Sequence, residues 1–301
     1  MSVDAPSLVG SGSLVRATPS AATRGYWKSV ARRLGRDPVT LICAALLILI
    51  VLAAIFAPLV APADPYKTSM IRRLYPLGSP NFPLGTDELG RDMLSRLIYG
   101  GRLSLFMGVT PVALALLIGG ALGITAGFLG GRVNMAIMRV MDVFYAFPSV
   151  LLAISLSGAM GAGVENTLIS LTLVFIPPIC RVSESVTTQV RGFDFVDAAR
   201  ASGAGALTIV RVHVLGNVLG PILVYATSLI SVSIILSSGL SFLGLGVKPP
   251  EPEWGLMLNT LRQAIYVNPV LAALPGVMIF ITSICFNLMS DGMRSAMDIK
   301  G

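Results

Sequence analysis

The chain reads as an all-α integral membrane protein with six transmembrane helices. Three observations predict this. Hydrophobic residues make up 54% of the 301 residues and charged residues only 12%, against about 25% charged in soluble domains. Six runs are free of charged residues: 38–63, 103–131, 143–164, 166–180, 212–247 and 263–290. Five of them reach the about 20 residues needed to cross roughly 30 Å of hydrocarbon.

Each run has its own justification. The run 38–63 is too long for a signal-peptide core and follows a polar tail, so it reads as a retained span. The run 103–131 carries Gly119, Gly123, Gly127 and Gly131 at a spacing of four. That spacing lays bare backbone along one helix face and predicts close packing against another helix. At the entry of the third run, Arg139 and Asp142 are spaced i, i+3 and are expected to form a local ion pair. The fourth run is short and contains Pro177 and Pro178. It is expected to continue past Arg181, which can snorkel, to about Val186. Between spans one and two, residues 87–102 are expected to form a surface helix packed through Met93, Leu94, Leu97 and Ile98.

Four parts follow. Residues 1–37 form a basic tail, with 1–26 rich in Ser, Ala, Gly and Thr and disordered, and Trp27 placed at the membrane surface. Residues 38–102 are the first span and its loop. Residues 103–290 are a five-helix core with a polar loop at 187–220, and 291–301 are a terminal tail. Most of the 22 Lys and Arg fall on the side of the two termini, which the positive-inside rule assigns to the cytoplasm. The net charge of +7 is therefore a topology signal, and its scatter argues against a nucleic-acid partner.

Several chemistries are excluded. No Gly-Lys-Ser/Thr sequence is present, so the chain has no P-loop for ATP. His213 is the single histidine, which excludes His-pair metal sites and leaves no support for a catalytic triad. Cys43, Cys180 and Cys285 show neither metal-ligand nor disulfide spacing and read as small packing residues. The charge-free runs carry no Asp, Glu, Lys or Arg, which argues against a carboxylate-based proton relay.

The polar loop is the informative segment. Residues 193–202 favour a short helix through Ala198, Ala199 and Ala201, and Gly203 suits a left-handed position just past its end. A second helix is expected to start at Gly205 and run through Leu207, Ile209, Val210 and Val214. Pro221 then stands in the first turn of the next span. On residue chemistry alone the loop is either an interfacial linker or a docking surface on which Asp197 and Arg200 fix register by charge.

At these residues the chain resembles the permeases of ABC importers. Asp197, Ala198 and Ala199, then Gly203, then His213, Val214 and Leu215 are similar to that family's EAA loop. More closely, the chain resembles the C-type permease of dipeptide/oligopeptide uptake systems. The likeness extends over Gly85, Thr86, Asp87, Glu88, Gly90, Arg91, Asp92 and Arg96, over 138–148, over 240–255 with Glu253, Trp254 and Gly255, and over Asp291 to Arg294. It departs from the family pattern at Asp197 (usually Glu), at Gly205-Ala206 (usually a stronger helix start) and at Gly216 (usually Pro). The resemblance implies a type I ABC importer permease fold in the bacterial inner membrane. It implies a non-enzymatic transport subunit, paired with a second permease, two cytoplasmic ATPases and an extracytoplasmic solute-binding protein. ATP and magnesium then sit on the ATPases and no cofactor on this chain. Asp197, Ala198, Ala199, Arg200, Gly203, Leu207, His213 and Leu215 are the implied docking residues.

Overall fold

The computed structural model describes residues 30–297. The expected disordered stretch 1–26, together with Trp27 and Lys28, lies outside the described residues. Helix α1 (Pro38–Ile55) begins at a proline behind Asp37, whose carboxylate accepts the N–H groups of Val39 and Thr40 at 3.3 Å each. It ends before a one-turn helix at Ala57–Val60. α1 is peripheral. It packs on the last helix through Cys43, Leu47 and Cys285, and Arg102 covers its terminal carbonyls, donating to Ala54 O at 2.6 Å and Ile55 O at 2.7 Å.

Helix α2 (Met93–Leu129) contains the second span and, of the expected surface helix over 87–102, only residues 93–102; residues 87–92 form a turn closed by a bridge between Thr86 and Asp92. Met93 and Leu97 are buried as expected, but the segment is the first turns of the span itself and not a separate helix. Pro111 lies inside α2 and cannot bond the carbonyl of Met107. The Ser233 hydroxyl donates to that carbonyl at 3.5 Å.

The third span departs from expectation. Instead of one helix over 143–164 there are two, α3 (Gly131–Tyr145) and α4 (Ser149–Met160), bent by 84° at the break. Pro148 supplies the reason: it has no N–H to give, and its ring disfavours helical geometry at Phe147. The charged residues at the start of this span belong to α3. Arg139 is not the partner of Asp142. Arg181 of the next helix is, at 2.5 Å, with its guanidinium 4.6 Å from the Tyr145 ring centroid.

Helix α5 (Val164–Arg191) runs well beyond the expected end near Val186 and carries Pro177 and Pro178 inside it. Helix α6 (Asp194–Ala201) follows a short corner. Then come a helical turn at Ala206–Ile209 and a π-helical turn at Val210–Val214. They lead without a break into α7 (Leu215–Phe242). Pro221 therefore lies inside α7, not in its first turn, because the π turn starts the helix early. Helix α8 (Trp254–Thr260) and a 3-10 turn at Leu261–Tyr266 precede α9 (Pro269–Met297). α1, α2, α5, the segment 206–242 and α9 are each long and apolar enough to span a membrane, and the bent α3–α4 pair is a sixth candidate. No strand occurs among the described residues.

The core is organised on the pairing of α2 with α5. A Cβ on Gly119 would lie 2.6 Å from Ile176 O, and one on Gly127 would lie 2.6 Å from Glu184 O. One on Gly123 would collide with Cys180 O and Ser183. The bare face therefore receives the backbone of α5 directly. Gly131 is not part of it: it is exposed, opens α3, and has nothing within 4 Å of its Cβ position. Gly123→Ala should therefore destabilise the folded protein by about 1–3 kcal/mol, the usual cost of overpacking. Gly120→Ala, whose new methyl meets only Leu116 at 3.9 Å, should change it little. Thermal unfolding of the two variants in the same detergent checks the contrast; equal midpoints would contradict the packing account.

Candidate functional site

Two constellations lie at opposite ends of the bundle, one in the loop around α6 and one in the motif around Asp87.

At the loop end, α6 stops because Gly203 turns left-handed at φ +81°. Its N–H bonds Arg200 O at 3.0 Å, and the N–H of Ala204 bonds Ala199 O at 3.1 Å. The sequence Asp-Phe-Val-Asp-Ala-Ala-Arg-Ala puts Val196 and Ala199 on one face. These two are buried against Phe128, Val190, Ile209, Val214, Val218 and Ile222. Ala199, expected among the docking residues, is thus turned inward. Asp197, Ala198, Arg200 and Leu207 are exposed. Asp197 and Arg200 pair with each other at 3.1 Å, both side chains about half in water, so this bridge contributes at most about 1 kcal/mol. His213 and Leu215 are half-buried, with the His213 ring 6.4 Å from that of Phe195. Gly205 caps the second turn with no side-chain bond, and Gly216 has open space around it in the first turn of α7.

Exposed apolar side chains flank α6: Phe193, Phe195, Leu207 (67% exposed) and Val212. Apart from Leu207, these were not singled out in the sequence, although two aromatics beside a short polar helix are a readable sign of a contact surface.

At the motif end, Asp87 is the centre. It is 2% exposed. Its Oδ1 accepts the N–H groups of Leu89 and Arg91 at 2.9 Å each. Its Oδ2 accepts Arg91 Nε at 2.6 Å and meets Arg96 Nε at 3.2 Å. Arg96 also donates to Pro65 O at 3.1 Å and Pro250 O at 3.4 Å, so one guanidinium ties three distant segments. Asp92 caps α2, accepting the N–H of Ser95 at 2.7 Å. The Thr86 hydroxyl accepts the N–H of Tyr75 at 2.9 Å and donates to Arg72 O. Gly85 and Gly90 are left-handed at φ +74° and +70°. Most polar atoms of this motif thus have a structural partner, while the buried Oε2 of Glu88 and Oδ1 of Asp92 accept no hydrogen bond among the described residues.

Glu253 joins the same knot, a role sequence reading missed. It is fully buried, caps α8 by accepting Gly255 N and Leu256 N at 2.8 Å each, and accepts the Ser104 hydroxyl at 3.1 Å. Trp254 donates its indole N–H to Leu97 O at 2.9 Å, and its ring covers Gly100 and Gly101. Burial pushes the Glu253 carboxyl above the ordinary range despite those bonds. Burial, then Asp87, raises Glu88 as well. Tyr66 bonds Glu251 at 2.8 Å, and burial followed by that contact pushes its phenol up to about 12. No cluster suited to a metal ion occurs among the described residues.

Two cavities differ in their lining. One of about 360 Å³ lies beside the α3–α4 bend and is lined by Tyr145, Phe147, Phe175, Pro177 and Leu236. Another of about 700 Å³ lies at the motif end among Tyr66, Tyr99, Arg102, Lys248 and Glu251.

The chain is thus a bundle of apolar spans with a surface helix seated at one end, a buried ionic knot at the other and a cavity at a broken helix, and its likeness to known proteins makes it a transport permease. The chain belongs to the binding-protein-dependent transport system inner membrane component family, whose model matches residues 119–299. The N-terminal transmembrane domain of oligopeptide transport permease C matches residues 25–76. It is a multi-pass inner-membrane protein. It is 42% identical over 280 residues to the di/tripeptide transport system permease DppC of Pseudomonas aeruginosa, covering 91% of each chain. It is 37% identical over 279 residues to the glutathione transport system permease GsiD of Pectobacterium atrosepticum, covering 93% of each. It is 36% identical to the dipeptide permease DppC of Alkalihalophilus pseudofirmus, covering 91% of this chain and 90% of that one. Among solved structures, inward-facing MetNI methionine ABC transporter matches with a TM-score of 0.56 at 18% identity, over 68% of this chain and 97% of that one. The fold is therefore that of a type I ABC importer permease.

Asp87→Asn would leave Arg96 buried without a counter-charge and Arg91 with Glu88 alone, at 3.2 Å. It should cost about 3–5 kcal/mol, read as a large fall in the unfolding midpoint. Glu88 has its own signature. A carboxyl raised in the folded state supports folding while protonated and loses that contribution as pH rises through its elevated value. Stability should decline as pH climbs above the ordinary carboxylate range. Glu88→Gln should flatten that decline in midpoints recorded from pH 4 to 8.

Proposed function

We propose that the chain is the transmembrane subunit of an ATP-driven importer of dipeptides, tripeptides or glutathione-like solutes. It works with a second permease, two ATPase subunits and an extracytoplasmic binding protein. In this reading the α6 end and both termini face the cytoplasm, and the Asp87 knot faces outward. Nucleotide binds the ATPases, whose closure pushes on α6. The permease pair then alternates between inward-open and outward-open states. The peptide class rests on relatives of 36–42% identity named for peptide and glutathione transport.

The observation that carries the docking role is the surface of α6. Its inner face is buried in the bundle, so the helix has a fixed seat. On and around α6, Phe195, the preceding Phe193, and Leu207 of the following turn stand uncovered beside a half-exposed ion pair. In the reconstituted complex, Asp197→Lys, Gly203→Leu or Leu207→Asp should each reduce ATPase co-purification and solute-stimulated turnover by about tenfold or more, the scale of losing a central contact. Wild-type association in all three would defeat the docking role. Solute import by this chain alone in liposomes would instead indicate a secondary carrier. Solute class is read from what the purified binding protein retains, with a dipeptide and glutathione as the first pair.

A further inference from the structure

The corner between α5 and α6 is fastened to a helix that belongs to neither. The last turn of an α-helix leaves carbonyls without partners. In α2 those of Gly127 and Phe128 are taken by one guanidinium nitrogen, Nη1 of Arg191, at 3.2 Å each. Arg191 is the final residue of α5, and α6 starts at Asp194. The corner itself is tight, with Gly192 N bonded to Gln189 O at 3.2 Å and Phe193 N to Val190 O at 3.1 Å.

Three neighbouring features serve the same joint. Gly130 has no side chain where a Cβ would collide with Arg191 Nη1. From α6, the Arg200 guanidinium lies 5.9 Å from the centroid of the Phe128 ring. Asn134 of α3 donates to Ala126 O at 3.3 Å and to Glu184 Oε1 of α5 at 2.6 Å. The other end of α2 is set in the ionic knot through Asp92 and Arg96. Between those ends α2 is a single helix interlocked with α5, backbone on backbone.

We propose that Arg191 is the positioning residue that locks α6 to the α2–α5 pair, so that displacement of α6 moves the knot at the far end of the bundle. It acts through the carbonyls of α2 and touches neither nucleotide nor solute. The inference rests on the docking role given to α6, and its failure is distinguishable from that role's failure, because docking and transmission have separate readouts.

The test uses the full reconstituted complex with Arg191→Gln and Arg191→Lys. Three quantities are read: ATPase retained per permease, solute imported per ATP hydrolysed, and the distance distribution between spin labels on the exposed positions Ala201 of α6 and Ile118 of α2. In Arg191→Gln, ATPase retention should stay within about twofold of wild type. Import per ATP should fall about tenfold, within the usual range of coupling between distant sites, and the distribution should broaden. Arg191→Lys, which keeps the charge but loses the fork, should recover about a third of the wild-type ratio. A wild-type import ratio in Arg191→Gln overturns the proposal, and so does a loss of ATPase that parallels the loss of import. If Arg191→Gln cannot be recovered folded, Arg191→Lys decides: a ratio equal to wild type overturns the proposal, and a reduced ratio with ATPase retained supports it. A wild-type complex that retains no ATPase would instead overturn the docking role.

Discussion

The bundle depends on backbone meeting backbone between α2 and α5. Inside a membrane two helices gain little from hiding apolar surface, since lipid is as apolar as leucine. What they can gain is dispersion contact, and that grows as side chains are removed from between them. Gly119, Gly123 and Gly127 remove them at three successive turns, bringing α2 onto the carbonyls of Ile176, Cys180 and Glu184. The remaining helices are placed around this pair. α7 lies on it through Ser233 and the Met107 carbonyl, and the joint at Arg191 closes it at one end. The 3.5 Å contact to Met107 also lets a proline sit mid-helix without leaving its freed carbonyl bare.

The two ends of the pair are built on different physics. At the motif end, charge is buried and almost fully engaged: Asp87 holds two backbone N–H groups and two guanidinium groups. Such a network is costly to desolvate and more costly to break, so it fixes one arrangement of segments far apart in the chain. At the loop end the seat of α6 is apolar, built on Val196, Ala199, Ile209 and Phe128, and its one ion pair is half in water. A seat of that kind tolerates adjustment better than the buried charge network does, which fits the docking role proposed for α6.

Much of this was legible in the sequence, for physical reasons. Spans follow from hydropathy because lipid imposes a length, and the glycine face follows from a period of four. The α6 helix, its Gly203 corner and the second turn at Gly205 follow from local capping chemistry. What escaped depended on partners distant in the chain. Asp142 was matched with Arg139 by spacing, yet Arg181, reaching from α5, wins it. Gly131 shares the period of the packing glycines but lies beyond the end of α2, where α3 begins. The α5 helix outran its charge-free stretch because Arg181, Glu184 and Arg191 are spent on α2 and α3, a use invisible to a hydropathy count. Glu253 was readable only in part: its caps on Gly255 and Leu256 are local, but the Ser104 hydroxyl that it accepts arrives across 149 residues of chain.

The broken third span has a consequence of its own. With 15 and 12 residues, α3 and α4 extend about 22 Å and 18 Å, each less than the hydrocarbon thickness. Because they meet at 84°, neither supplies a full-height wall. Where they turn, the rings of Phe144, Tyr145 and Phe147 line the 360 Å³ cavity together with Phe175 and Pro177 of α5 and Leu236 of α7. Rings rotate on side-chain bonds and need no hydrogen bond broken to do so. The shape of the cavity at this bend can therefore change by side-chain rotation, with the backbone bonds of the helices on either side left intact.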